Sequence, residues 1–122
     1  MKEKNLIIAG SRNFSDYQLL ASEMKKINSF ASKYGYNFSV ISGNAKGADR
    51  LGILYANENN LPCKIFEANW PRYRKMAGII RNIEMAKHAQ FCLVFWDGKS
   101  KGTENMIHVA KCYELITRVV LY

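Results

Sequence analysis

Long apolar runs, paired cysteines and acidic charge are all scarce in this chain of 122 residues. No stretch approaches the ~20 apolar residues needed to span a membrane. The start, MKEKNLIIAGSRNF, passes from a short apolar segment straight into Gly-Ser-Arg. A secretory leader would lengthen that segment and end it at a small-residue cleavage site. The expectation is a first β-strand, no membrane partner and a cytoplasmic location. The three cysteines, Cys63, Cys92 and Cys112, are odd in number and form no Cys-x-x-Cys pair. With only His88 and His108 beside them, no metal-ligand spacing arises. Zinc, disulfides and a resident cofactor are therefore not expected. Cys92 and Cys112 lie in apolar periodic segments, where a free thiol reads as a small core residue.

Acids are also few: 10 Asp and Glu stand against 18 Lys and Arg, a formal net charge of +8. Such a surplus favours anionic partners, namely nucleotides, nucleic acid or phosphorylated metabolites. At 48% apolar residues the chain is not of the disordered class, and its length suits one domain over residues 1–122. The common nucleotide fingerprints are missing. GNAKG and GKSKGT lack the Walker spacing, and no G-x-G-x-x-G follows the first apolar run. No G-x-S-x-G elbow supports a serine hydrolase.

What is present is an alternation. Apolar runs at 4–10, 38–42, 62–67, 90–96 and 117–121 read as strands, separated by helical segments near 16–34, 47–60, 74–88 and 103–115. In the first helix Leu19, Leu20, Met24, Ile27 and Phe30 recur at helical spacing, and Ser15 with Gln18 reads as a capping box. Leu51, Leu54 and Tyr55 fall on one face of the second. Continuous apolar strands between helices predict an α/β fold: a compact Rossmann-like three-layer domain, its mainly parallel five-stranded sheet covered by helices on both faces.

Three strands exit alike, as IIAGSRNFSD, VISGNAKGAD and VFWDGKSKGTE. Each exit combines glycine with a cation before a helix start. In a parallel sheet these loops share one edge, where ligands bind at the topological switch point. Gly43 and Gly47 read as clearing the way for a phosphate, with Lys46 or Arg50 supplying charge. In the helix predicted over 72–87, Met76, Ile79, Ile80 and Ile83 form a core stripe. Arg74, Lys75, Gly78, Arg81 and Asn82 share another face, and the glycine among those cations suggests close approach by a partner. Among aromatics beside the loops, Phe14, Trp70 and Trp96, the last is the best placed to stack on a base.

Taken in order, GSRNF, SGNAKGADR, the pattern W..Y.K.AG..RN..M from Trp70 to Met85, and FWDGKSKGT resemble the YspA-like branch of the SLOG superfamily, nearly end to end. The resemblance implies a Rossmann-like nucleotide-binding domain related to the LOG phosphoribohydrolases and to the DNA-processing protein DprA. The pocket it implies takes Gly10, Ser11 and Arg12 from the first motif. Ser42, Gly43, Gly47, Asp49 and Arg50 come from the second, with Lys46 between them. Lys75, Gly78, Arg81 and Asn82 come from the helix, and Asp97, Gly98, Ser100, Gly102 and Thr103 from the last loop, beside Trp96. One departure shows: the family's usual Tyr-Gly-Lys is Tyr73-Arg74-Lys75, a long cation that would narrow the pocket or add a phosphate contact.

Where LOG enzymes carry P-G-G-x-G-T followed by a glutamate pair, this chain has DGKSKGTENMI, with Glu104 directly after Thr103. On a helix a one-residue shift turns a side chain by ~100°. Asp49 and Glu104 are the carboxylates left for any catalytic role, with Asp97 a third. Both sit in helix first turns, where the dipole favours the ionised form and makes a weak base. The leading expectation is therefore binding of a phosphate-bearing nucleotide or nucleotide-derived ligand, ADP-ribose-like or a cyclic or linear nucleotide, by a sensor or sequestering protein. The alternative is a nucleotide N-glycosidase of the LOG type. DprA-like binding of single-stranded nucleic acid ranks third, since the aromatic and basic interleaving of strand-binding surfaces is absent. Relatives that dimerise make a homo-oligomer a further expectation.

Overall fold

The computed structural model describes residues 2–122. Along the chain run β1 (Lys2–Gly10), α1 (Tyr17–Tyr34), β2 (Tyr36–Ser42), α2 (Ala48–Glu58), β3 (Cys63–Ile65), α3 (Trp70–Tyr73), a short 3₁₀ turn at Arg74–Met76, α4 (Ala77–Lys87), β4 (Phe91–Trp96), α5 (Lys101–Cys112) and β5 (Ile116–Leu121). All five strands are parallel, in the order β3-β2-β1-β4-β5. This is the expected α/β, Rossmann-like sheet.

Strand alternation divides the interior into two cores. Leu6 and Ile8 of β1, with Leu93 and Phe95 of β4, face Leu20 and Met24 of α1 and Tyr55 and Ala56 of α2. Ile7 and Ala9, with Cys92 and Val94, face Met85 and Ala86 of α4 and Met106, Val109 and Ala110 of α5. Strands buried on both sides have no polar face to offer, which is why their sequences are continuously apolar. After β3 the chain crosses to the far side of β1, so β1 and β4 flank the point where strand order reverses.

Several local expectations change. Asp16, and not Ser15, caps α1, its Oδ1 accepting the Leu19 N–H at 3.0 Å. Leu54 is 44% exposed, and α2 instead buries Ala48, Asp49, Gly52, Tyr55 and Ala56. Small residues draw that helix onto β1: a Cβ on Gly52 would lie 2.8 Å from Ile8 Cβ. Cys92 is buried as expected, but Cys112 is exposed.

The largest change concerns 72–87, which is not one helix. Arg74 adopts φ 51° and ψ −121°, a conformation that suits glycine, and the backbone turns there between α3 and α4. The break resets the helical register. Met76 is therefore 52% exposed, and the buried residues of α4 are Ala77, Asn82, Met85 and Ala86. Arg74 itself is exposed and lines none of the cavities described below. Arg74, expected to narrow the pocket or add a phosphate contact, thus stands outside both cavities, at a backbone turn.

Candidate functional site

Three strand exits meet at the carboxyl edge of the sheet, and Ser11 ties them together. Its N–H donates to Phe95 O at 2.9 Å, and its carbonyl accepts from Phe14 N–H at 3.1 Å and Ala48 N–H at 3.4 Å. The Ser11 Oγ accepts from Asp97 N–H at 3.2 Å and lies 3.4 Å from Thr103 Oγ1. Such close loops require glycine. A Cβ on Gly10 would fall 2.3 Å from Phe95 O, and one on Gly47, at φ 83°, 2.3 Å from Ser11 O. A Cβ on Gly43 would fall 2.7 Å from Arg81 Nη1 and 2.8 Å from Asp49 Oδ2. At Gly47 the backbone of Ser11 and Arg12 leaves no room for a Cβ, whereas the crowding at Gly43 comes from the side-chain tips of Arg81 and Asp49.

Other predicted residues are also engaged within the protein. Ser42 Oγ donates to Asp49 O at 3.0 Å and accepts the Asn44 N–H at 3.2 Å. Asp97 Oδ1 accepts from Lys99 N–H at 2.9 Å and Ser100 N–H at 2.8 Å, bonds that hold its carboxyl below the usual range. This folds the turn through Gly98, whose φ is 80°. Trp96 Nε1 donates to Ser100 O at 3.1 Å, and its ring packs on the α4–α5 side of the sheet instead of facing a cavity.

A cleft of about 280 Å³ opens above β1, between the first loop, α4 and the start of α5. Gly10, Arg12, Asp49, Lys75, Gly78, Arg81, Asn82, Ser100, Gly102 and Thr103 line it, all sequence-predicted. Ala45, Ile79, Lys101, Asn105 and Met106 line it too and were missed, and Trp70, considered only as a stacking aromatic behind Trp96, lines it as well. Lys101 and Asn105 carried a signal, since four-residue spacing places them on one face of α5 with Gly102 beside them. Gly78 has only Trp70 and Arg81 near a notional Cβ, at 3.7 Å and 4.0 Å, so no tight protein contact demands it. Lys46, Arg50 and Gly43 instead line an adjoining cavity. Glu104 is exposed and lines neither.

The cleft's polar groups form a connected set. Arg81 donates from Nη1 to Gly43 O at 2.9 Å and from Nε to Asn82 Oδ1 at 3.1 Å, and Asn82 Nδ2 donates to Asn105 Oδ1 at 2.9 Å. Asp49 is 4% exposed, and burial pushes its carboxyl up to about 6. The charge of Arg81 and the N–H groups of Ala45, Gly10 and Gly43 only partly offset that desolvation. This reverses the expectation from helix position: desolvation outweighs the helix dipole. No side chain caps α5, so its first-turn N–H groups, at Lys101, Gly102 and Thr103, lie uncapped beside the cleft. Among the described residues none of the ion pairs involves Arg12, Lys46, Arg50, Lys75 or Lys101. Nor does any group of three or more His, Cys, Asp or Glu among them converge as a metal site would. No helix among the described residues is long and apolar enough to cross a membrane.

The chain is similar to the Gene 61 protein of Mycobacterium phage D29, 32% identical over 118 residues that cover 88% of this chain and 89% of that protein. No solved structure matches it. The sequence model of the YspA, cpYpsA-related SLOG family, YAcAr, matches residues 5–73, which run from β1 through α3. With over half of its length matched, and with the parallel sheet and shared loop edge just described, the chain belongs to the YspA, cpYpsA-related SLOG family.

Proposed function

We propose that this single domain binds a phosphate-bearing nucleotide or nucleotide-derived ligand in the cleft beside β1, as a sensor or sequestering protein. Family membership supports a nucleotide-related role in general. The observation that carries the specific reading is the cleft's position and lining. It sits at the β1/β4 switch point and combines cations that lack acidic partners with an uncapped helix start. N–H groups and dipole at a helix N-terminus favour an anion, and Arg12, Lys75 and Lys101 add charge around it. Asp49, Asn82 and Asn105 offer acceptors and donors for ribose hydroxyls or a base edge, and Trp70, 50% exposed, gives a stacking face at the rim. Calorimetric titration with the four 5′-mononucleotides and ADP-ribose tests this. Saturable binding to the wild type that is lost in Gly102→Val supports it. Binding unaffected by that substitution would remove the cleft from the account.

One observation favours a second reading, N-glycosidic cleavage. Asp49 is a buried carboxylate on the cleft whose proton is held to about pH 6, within the range of a general acid or base. In this reading Asp49 alone carries the chemistry, because Glu104 lies outside the cleft. Chromatography of incubated mononucleotides would then show free base plus ribose phosphate, abolished in Asp49→Asn. Intact nucleotide with the wild type rules this reading out.

A further inference from the structure

Arg12, Ala45, Trp70 and Arg81 line the cleft on one side and, on the other, a second cavity of about 410 Å³. The second cavity adds Lys46 and Arg50, neither of which has an ion-pair partner among the described residues. Its one acid, Glu67, accepts from Asn44 Nδ2 at 3.0 Å, a bond within the cavity's own wall. The shared wall carries two guanidinium groups. Half-buried Arg81 is disfavoured as a cation chiefly by its burial, which Asp49 partly offsets, and Arg12 lies close enough to add a smaller repulsion. An anion lying across the two guanidinium groups would pair with both.

Volume points the same way. At about 280 Å³ the first cleft falls just short of the about 300–1,000 Å³ typical of small-molecule pockets. Joined to its neighbour, it lies well inside that range.

Resting on the nucleotide reading above, we propose that the second cavity is an anionic subsite for the same ligand. The ligand then belongs to the class with two linked phosphate-bearing halves, a phosphodiester- or pyrophosphate-linked dinucleotide. One half occupies the cleft beside α5, the linking phosphates cross Arg12 and Arg81, and Lys46 and Arg50 hold the far end. A mononucleotide fills the cleft alone.

The test compares the wild type with Lys46→Ala/Arg50→Ala, two exposed positions whose loss leaves the core untouched. Each is titrated calorimetrically with 5′-mononucleotides, 5′-phosphorylated dinucleotides and ADP-ribose. The wild type is expected to bind a two-part ligand about tenfold more tightly than its mononucleotide, and the double variant to lose about that factor for the two-part ligand only. Equal affinity for both classes, or a two-part ligand that ignores the substitutions, overturns the subsite while mononucleotide binding leaves the cleft reading intact. Absence of binding by the wild type to every probe overturns both.

Discussion

Glu23 and Asp49 are acids of nearly equal exposure, 5% and 4%, on the two helices that cover the same side of the sheet, but Asp49 lies much deeper in the protein. Their surroundings differ. Glu23 accepts from Lys26 Nζ and Arg118 Nε, each at 3.1 Å. Burial alone would raise its pKa, but hydrogen bonds and charge from Arg118 and Lys26 outweigh that and hold it below the ordinary glutamate value. Asp49 receives backbone N–H groups and no ion pair, and its pKa rises to about 6. Beside Glu23, Lys26 and Arg118 are paired with that acid. At the carboxyl edge of β1, Arg12, Lys75 and Lys101 line a cleft and have no ion-pair partner among the described residues. Under the proposed function, those are the cations that meet the ligand.

Gly102→Val breaks the comparison most directly. No atom lies within 4 Å of a Cβ at this position, so the fold should tolerate the change. The new side chain would stand at the anion seat, where losing charge-assisted bonds costs about 3 kcal/mol, or about 100-fold in affinity by calorimetry. An unaltered melting temperature should accompany that loss.

The two acids should also have opposite pH signatures. Asp49 has a folded pKa of about 6 against 3.8 unfolded, so the folded state holds the proton more tightly. Stability is then greatest below the unfolded value and falls as pH rises through the folded one, by at most about 3 kcal/mol. Asp49→Asn removes that decline in denaturant titrations between about pH 4 and 6. For Glu23, with its lowered pKa, stability is present above the unfolded value and lost as pH falls through the folded one. Glu23→Gln should flatten only that acid limb, and by less than about 1 kcal/mol, because Lys26 and Arg118 are 66% and 59% exposed.

Arg74→Gly should stabilise the protein by about 1 kcal/mol, since glycine suits φ 51° and ψ −121°, and should leave ligand affinity unchanged. Gly78→Ala sharpens the contrast least but usefully. Alanine within α4 should add about 0.5–1 kcal/mol of thermal stability while weakening binding a few-fold, because its methyl enters the cleft. Stability and binding moving in opposite directions would mark Gly78 as kept for the ligand.

The parallel sheet and its edge of loops were legible because strands buried on both faces must be apolar throughout, as LIIA in β1 and FCLVF in β4 are. Ten cleft residues could be named from glycine and cation patterns for the same reason: loop order fixes which side of the sheet they share. The rest depended on neighbours far away in sequence. Gly47 is glycine because the backbone of Ser11 and Arg12 presses on it at a positive φ, and Arg81 and Asp49 crowd Gly43 with their side-chain tips. Helix periodicity cannot register a positive φ at Arg74, so the stripe through Met76 was read in the wrong register. Position in a helix first turn suggested a low pKa for Asp49, but the burial that raises it arises only when α2 closes on β1.

Amide-resolved NMR titration of the ¹⁵N-labelled protein with 5′-mononucleotides and 5′-phosphorylated dinucleotides tests the central claim most directly. The account predicts saturable shifts concentrated at Gly10, Arg12, Gly78, Arg81, Gly102 and Thr103, with Glu23, Lys26 and Arg118 unmoved. Shifts centred on Glu23 and β5, or none at the β1 edge, would contradict it.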